Sequence, residues 1–210
     1  HKGLDLVKAV LDGILYDDVQ LVVLGTGDYQ YEEMFKEAQT RYPNKVSANI
    51  TFNLDLAQKI YAGADIFLMP SKSEPCGLSQ MIAMRYGTVP IVRETGGLKD
   101  TVQPYEDWRD SGNGFTFANY NAGDMLYVIR QAVELYSRSR DAFVRLQHRD
   151  MTEDFSWSRS AGQYVQIYES ITGQTVRREA AQPPAAGSAV RRTAKTAQSA
   201  AEKKTTTSKK

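Results

Sequence analysis

"DIFLMPSKSEPCGLSQMIAMRYGTVPIVRETGG", residues 65–97, decides the fold. "DIFLMP" (65–70) is a short, almost wholly apolar run, as a strand covered on both faces would be. Gly77–Tyr86 spaces its apolar residues as one face of a helix, and Val89–Val92 is a second apolar run. Strand, helix and strand with short connections form the unit of a parallel crossover.

The same alternation extends outward. Upstream, "KGLDLVKAVLDGIL" places Leu4, Val7, Val10, Leu11 and Ile14 on one helical face. "VQLVVLG" (19–25) reads as a strand buried on both faces and ends at the turn "GTGD". Residues 29–42 carry charges at helical spacing, "VSANITF" (46–52) is strand-like up to Asn53, and 54–64 is helical. Downstream, a short helix begins over 98–102 and "GFTF" (114–117) is a strand. Helices are expected near 122–137, 140–151 and 157–171. The pattern is an α/β fold, a Rossmann-like doubly wound parallel sheet followed by carboxyl-terminal helices. The chain opens on a helix where a parallel crossover opens on a strand, so a first strand is expected upstream of His1.

Composition divides the 210 residues at about Gly173. Residues 174–210 hold nine Lys/Arg against two acids, a charge of +7 that leaves −6 on residues 1–173. This tail has no aromatic residue and cannot bury enough apolar surface to offset its ordering entropy, so it is expected to be a disordered basic tail. Without aromatics it offers no base-stacking platform, and the acidic remainder argues against a nucleic-acid partner. A single cysteine excludes an intramolecular disulfide framework and a cysteine-rich zinc site, and fits a reducing compartment. No apolar run approaches the roughly 20 residues of a membrane span.

In an open α/β sheet, ligands bind beyond the carboxyl ends of the strands. The residues following each expected strand therefore form the candidate rim: Gly25-Thr26-Gly27-Asp28, Asn53, Ser71 to Gly77, and Arg93 to Gly97. Gly77, Leu78 and Ser79 read as the first turn of a helix, whose unpaired N–H groups suit phosphate. Pro75 keeps Ser73 and Glu74 extended, and a carboxylate beside an anion site is better employed on sugar hydroxyls. Together these features suggest a nucleotide-sugar. "GTGD" lacks the third glycine of the dinucleotide fingerprint and the Walker lysine. No two aspartates are spaced as Asp-x-Asp, so no metal clamp and no cofactor are expected. Cys76 has no base beside it and is not read as a nucleophile.

The stretches "KGLDLV", "LGTGD", "YAGADIFLMPSKSEPCGLSQMIAMRYGTVPIVRETGGLKDTV", "GFTF" and "DFSW" resemble the carboxyl-terminal domain of the glycogen synthase and starch synthase family. The resemblance covers most of residues 1–171. It implies the second half of a two-domain GT-B fold, with residues 1–173 as the nucleotide-sugar-binding domain. It further implies a metal-independent, retaining transfer of glucose from ADP-glucose to the non-reducing end of an α-1,4-glucan. Lys2 would then neutralise the leaving diphosphate and Glu74 would contact the donor glucose. Cys76, Gly77, Leu78 and Ser79 would offer backbone groups, Phe52 would lie near the adenine, and Thr95, Gly96 and Gly97 would close the phosphate side. Gly25, Thr26 and Gly27 complete the donor site.

Ile82 stands eight residues after Glu74, so the second carboxylate of the wider E-x7-E pattern is missing, as in glycogen synthases. The amino-terminal GT-B domain is also missing, so the chain alone is expected to be inactive. Tyr164, Ile167 and Tyr168 could contact that domain or could close their own sheet. The family implies the cytoplasm, or the plastid stroma for a plant-type enzyme. Two alternatives stay open: a GT-B transferase using a UDP- or GDP-sugar, and a non-catalytic module binding nucleotide or glucan.

Overall fold

The computed structural model describes residues 1–175. It divides into two units, His1–Arg159 and Ser160–Lys210. The basic tail expected from residue 174 onward lies, from residue 176, outside the described residues.

Helices and strands alternate through the first unit: α1 (Leu4–Tyr16), β1 (Leu21–Leu24), α2 (Tyr29–Arg41), β2 (Val46–Asn49), α3 (Leu54–Gly63), β3 (Ile66–Met69), α4 (Ser79–Arg85), β4 (Val89–Arg93), α5 (Gly96–Thr101), β5 (Phe115–Phe117), α6 (Ala122–Arg138) and α7 (Arg140–Thr152). Every strand pairing is parallel, as the alternation requires. Asn53 and Asn121 supply side-chain oxygens to free N–H groups at the starts of α3 and α6, where polar caps are most useful. In the second unit the described residues continue α8 (Trp157–Thr172), on which the Tyr164 and Tyr168 rings lie 6.5 Å apart.

The core is built on β4. Val89 and Ile91 enter the larger cluster with Phe115, Phe117, residues of α1 and α6, and Phe143 and Leu146 of α7. Val92, pointing the other way, joins Met69, Met84, Leu98 and Val102 in a second cluster. Alternation along one strand thus feeds two cores, and each fully buried aliphatic side chain contributes about 1.5–3 kcal/mol.

Three expectations need correction. The strands do not form one hydrogen-bonded sheet: β1 and β2 make one ladder, and β3, β4 and β5 another. β1 is accordingly not buried on both faces, and Val22 is 48% exposed. The α1 face is shifted as well, because Val10 leaves helical geometry at φ −128°. Leu6 and Leu15 are buried with Val7, Leu11 and Ile14, while Leu4 and Val10 are only half-buried.

Candidate functional site

The loop after β3 holds the candidate charges. Lys2 Nζ donates to Glu74 Oε2 at 2.5 Å, and the Ser71 hydroxyl donates to the same oxygen at 3.3 Å. Residues 72 apart in sequence meet because the first residues lie along this loop. The Lys72 N–H donates to His1 O at 2.9 Å, and Gly3 packs so closely on Pro70 that a Cβ there would lie 2.1 Å from its carbonyl oxygen. The two partners differ in freedom: the Lys2 side chain is 65% exposed, that of Glu74 only 12%.

Arg93, the last residue of β4, holds the loop in place. Its guanidinium donates to the carbonyls of Ser71 (2.9 Å), Lys72 (2.5 Å) and Ala118 (3.3 Å). Tyr120 stands beside both Arg93 and Lys72 and donates its hydroxyl to Asp5 in the first turn of α1. Burial, helped by the Asp5 carboxylate, pushes the Tyr120 pKa up to about 12, so this hydroxyl stays a donor. Arg93, Tyr120 and Asp5 therefore tie the Glu74 loop to the segment bearing Lys2.

The sequence placed Ser71 and Arg93 on the candidate rim without a particular role and did not point to Tyr120 or Asp5. Arg93 had a signal, a cation at the carboxyl end of a central strand. Tyr120 and Asp5 had none, since they are 115 residues apart.

The expected helix start at Gly77 is corrected: α4 begins at Ser79. Gly77 adopts φ +71°, left-handed backbone that a helix excludes, and Gln80 Nε2 donates to its carbonyl at 2.9 Å. Among the described residues no backbone acceptor takes the N–H of Gly77 or Leu78. Cys76 is an exposed free thiol.

Gly96 and Gly97 have a packing reason. A Cβ at Gly97 would lie 1.8 Å from Cys76 O, and one at Gly96 2.2 Å from Glu74 O. The Gly97 N–H donates to the carbonyls of Glu74 and Pro75. The pair thus seats the Glu74 loop, and in this conformation the Gly97 N–H is occupied. Thr95 caps α5 without a side-chain hydrogen bond.

Gly25, Thr26, Gly27 and Phe52 follow the strands of the other ladder. The Gly27 N–H donates to Glu32 Oε1 at 2.9 Å, nothing lies within 4 Å of a Cβ built on Gly27, and Phe52 is 81% exposed. Among the described residues no hydrogen bond or ion pair joins them to Lys2 or Glu74. Nor does any group of three His, Cys, Asp or Glu there lie close enough to hold a metal ion. Beyond β3 the rim brings together the largely buried Glu74 carboxylate, the exposed Lys2 ammonium and the N–H groups of Gly77 and Leu78, a set suited to a phosphorylated polyol.

Residues 1–145 match the family described as glycosyl transferases group 1. Glycogen synthase of Desulfitobacterium hafniense is 56% identical over 171 residues, 81% of this chain and 37% of that protein. Glycogen synthase of Clostridium acetobutylicum is 58% identical over 171 residues, 81% of this chain and 36% of that protein. The chain therefore spans little more than a third of the curated relatives it matches. The catalytic domain of starch synthase IV from Arabidopsis thaliana, bound to ADP and acarbose, superimposes with a TM-score of 0.71 at 34% identity, covering 82% of this chain and 36% of that one. Anabaena HepE in complex with UDP and glucose shares the fold, with a TM-score of 0.58 at 19% identity over 80% of this chain and 45% of that one.

Proposed function

The chain belongs to the group 1 glycosyl transferases, and from that premise we propose that it is the nucleotide-sugar-binding half of a glycogen or starch synthase. The parent protein transfers glucose from ADP-glucose to the non-reducing end of an α-1,4-glucan, with retention and in the cytoplasm or the plastid stroma. One observation carries the reading: an ammonium and a carboxylate meet on the rim beyond β3, next to amide donors. The ADP found in the starch synthase IV complex supports adenine as the base.

In this reading Lys2 and the N–H groups of the Cys76–Ser79 turn stabilise charge developing on the departing diphosphate. Such donors lower the barrier because the charge is greatest at the transition state. Glu74 accepts from the glucose hydroxyls, Thr95 and Gly96 close the phosphate side, and Gly25, Thr26, Gly27 and Phe52 hold the nucleoside. The break between β1 and β3 is the seat we assign to one more parallel strand of the parent protein. A chain running up to His1, whose carbonyl is bonded just past β3, would lie beside β3 and then cross through α1 to β1. The acceptor site and an amino-terminal GT-B domain belong to the rest of that protein, and the isolated chain has negligible turnover.

Calorimetric titration with ADP and with UDP, beside a Lys2→Ala variant, tests the reading. ADP should bind more tightly than UDP, and the variant should lose at least about tenfold in ADP affinity, the cost of one charge-assisted contact. A chain folded by circular dichroism that binds neither nucleotide overturns the reading. A preference for UDP moves it to a UDP-sugar.

A further inference from the structure

We propose that the Lys2–Glu74 ion pair is a lock, opened by a donor diphosphate and closed again once the sugar has left. The site thereby discriminates a sugar nucleotide from the bare nucleoside diphosphate. The inference rests on the reading that Lys2 meets the diphosphate and Glu74 the sugar.

The two groups expected to grip different parts of the donor grip each other at 2.5 Å. Lys2 cannot give its full charge to a diphosphate without leaving Glu74. Of the two, Lys2 is the one that moves. Its side chain is mostly exposed on a flexible four-carbon stem, whereas Glu74 is largely buried, bonded by Ser71, and carried on a loop held through Arg93.

Opening the lock leaves Glu74, still bonded by Ser71, without a counter-charge beside a polyanion. An intact sugar nucleotide relieves this cost because its hydroxyls donate to the freed carboxylate. A bare nucleoside diphosphate brings no such donors, so the carboxylate recaptures Lys2 and weakens the grip on the diphosphate. The pair therefore favours substrate entry and product release with the same two side chains. No covalent step is involved.

The test is a double-mutant cycle on the 210-residue chain with Lys2→Met, Glu74→Gln and the double variant, each checked for folding by circular dichroism and titrated with ADP and ADP-glucose. Glu74→Gln should tighten ADP by up to about fivefold, the range of one exposed ion pair. It should weaken ADP-glucose relative to ADP. The gain for ADP should be larger with Lys2 present than in the Lys2→Met background. Relief of simple repulsion between carboxylate and diphosphate would not require Lys2, so equal gains in the two backgrounds overturn the lock. If Lys2→Met leaves ADP affinity unchanged, or if no variant binds ADP, the underlying site reading fails instead.

Discussion

The two ladders are built to different tolerances. Around β3, β4 and β5, Val89, Ile91 and Val92 are fully buried, two glycines are pressed against the backbone of the Glu74 loop, and one guanidinium holds three carbonyls. Around β1 and β2, Val22 and Phe52 face solvent and a Cβ added at Gly27 would meet nothing within 4 Å. A charge acting on a breaking bond must be placed to a fraction of an ångström, because misplacement by 1 Å costs orders of magnitude in rate. A grip on a distant base needs contact area more than position. The tight half carries the groups proposed for the chemistry, and the open half those proposed for recognition.

Gly97→Ala is the severest way to break that contrast. The added methyl would sit 1.8 Å from a backbone oxygen, which cannot swing aside as a side-chain end can. Overpacking alone costs about 1–3 kcal/mol, and here the loss of two hydrogen bonds to the Gly97 N–H adds to it. A loss above about 3 kcal/mol, seen as a melting temperature lower by roughly 10 °C, is expected. Gly27→Ala, in open space, should leave the melting temperature within about 2 °C of the parent. Equal effects from the two alanines would mean that the halves do not differ in tightness.

The order of the elements was legible in the sequence, but the contrast between the ladders was not, because residues 19–25 also read as a strand buried on both faces. Apolar runs and helical spacing located every strand and helix to within a few residues, because burial repeats with the period of the backbone. The position of Gly77 was legible, but its left-handed geometry was not, so the start of α4 was placed two residues early. The glycines at 96 and 97 were legible, but that they lie against the backbone of the Glu74 loop was not, because a sequence does not show which backbone approaches them. The divided sheet and the Arg93–Tyr120–Asp5 tie depend on residues far apart in the chain, and no local pattern encodes them.

Asp150 provides a milder test, because it lies under the tight half on α7, which packs against α4 and β4. It is buried, and among the described residues neither carboxylate oxygen has a hydrogen-bond partner. Burial, reinforced by Glu153 and opposed by Arg149, raises its pKa to about 8. In the unfolded chain the group titrates near its ordinary value of about 3.9. Between those two values the unfolded chain has lost the proton and the folded chain keeps it, so stability falls as pH rises. The slope is at most about 1.4 kcal/mol per pH unit, and the loss is complete above pH 8. Asp150→Asn keeps the shape without the titration. It should melt higher than the parent at pH 7.5 and show a flatter profile from pH 5 to 8. Parallel profiles for parent and variant would remove Asp150 as the source of the slope.

Phe52→Ala gives the smallest expected effect and bears most directly on the open half. The ring is exposed, so its removal sacrifices almost no packing, and stability should change by less than about 0.5 kcal/mol. If the ring packs against the base, ADP affinity should fall by at least about fivefold, since stacking one base on an aromatic contributes ~1–3 kcal/mol. That loss should be the same in the parent and in the Lys2→Met variant, because Lys2 is bonded to the loop after β3 whereas Phe52 follows β2, a strand of the other ladder. Additivity would establish that recognition and charge handling are independent halves of one site. Strong coupling would mean that binding at Phe52 also repositions Lys2, which the separation of the ladders argues against.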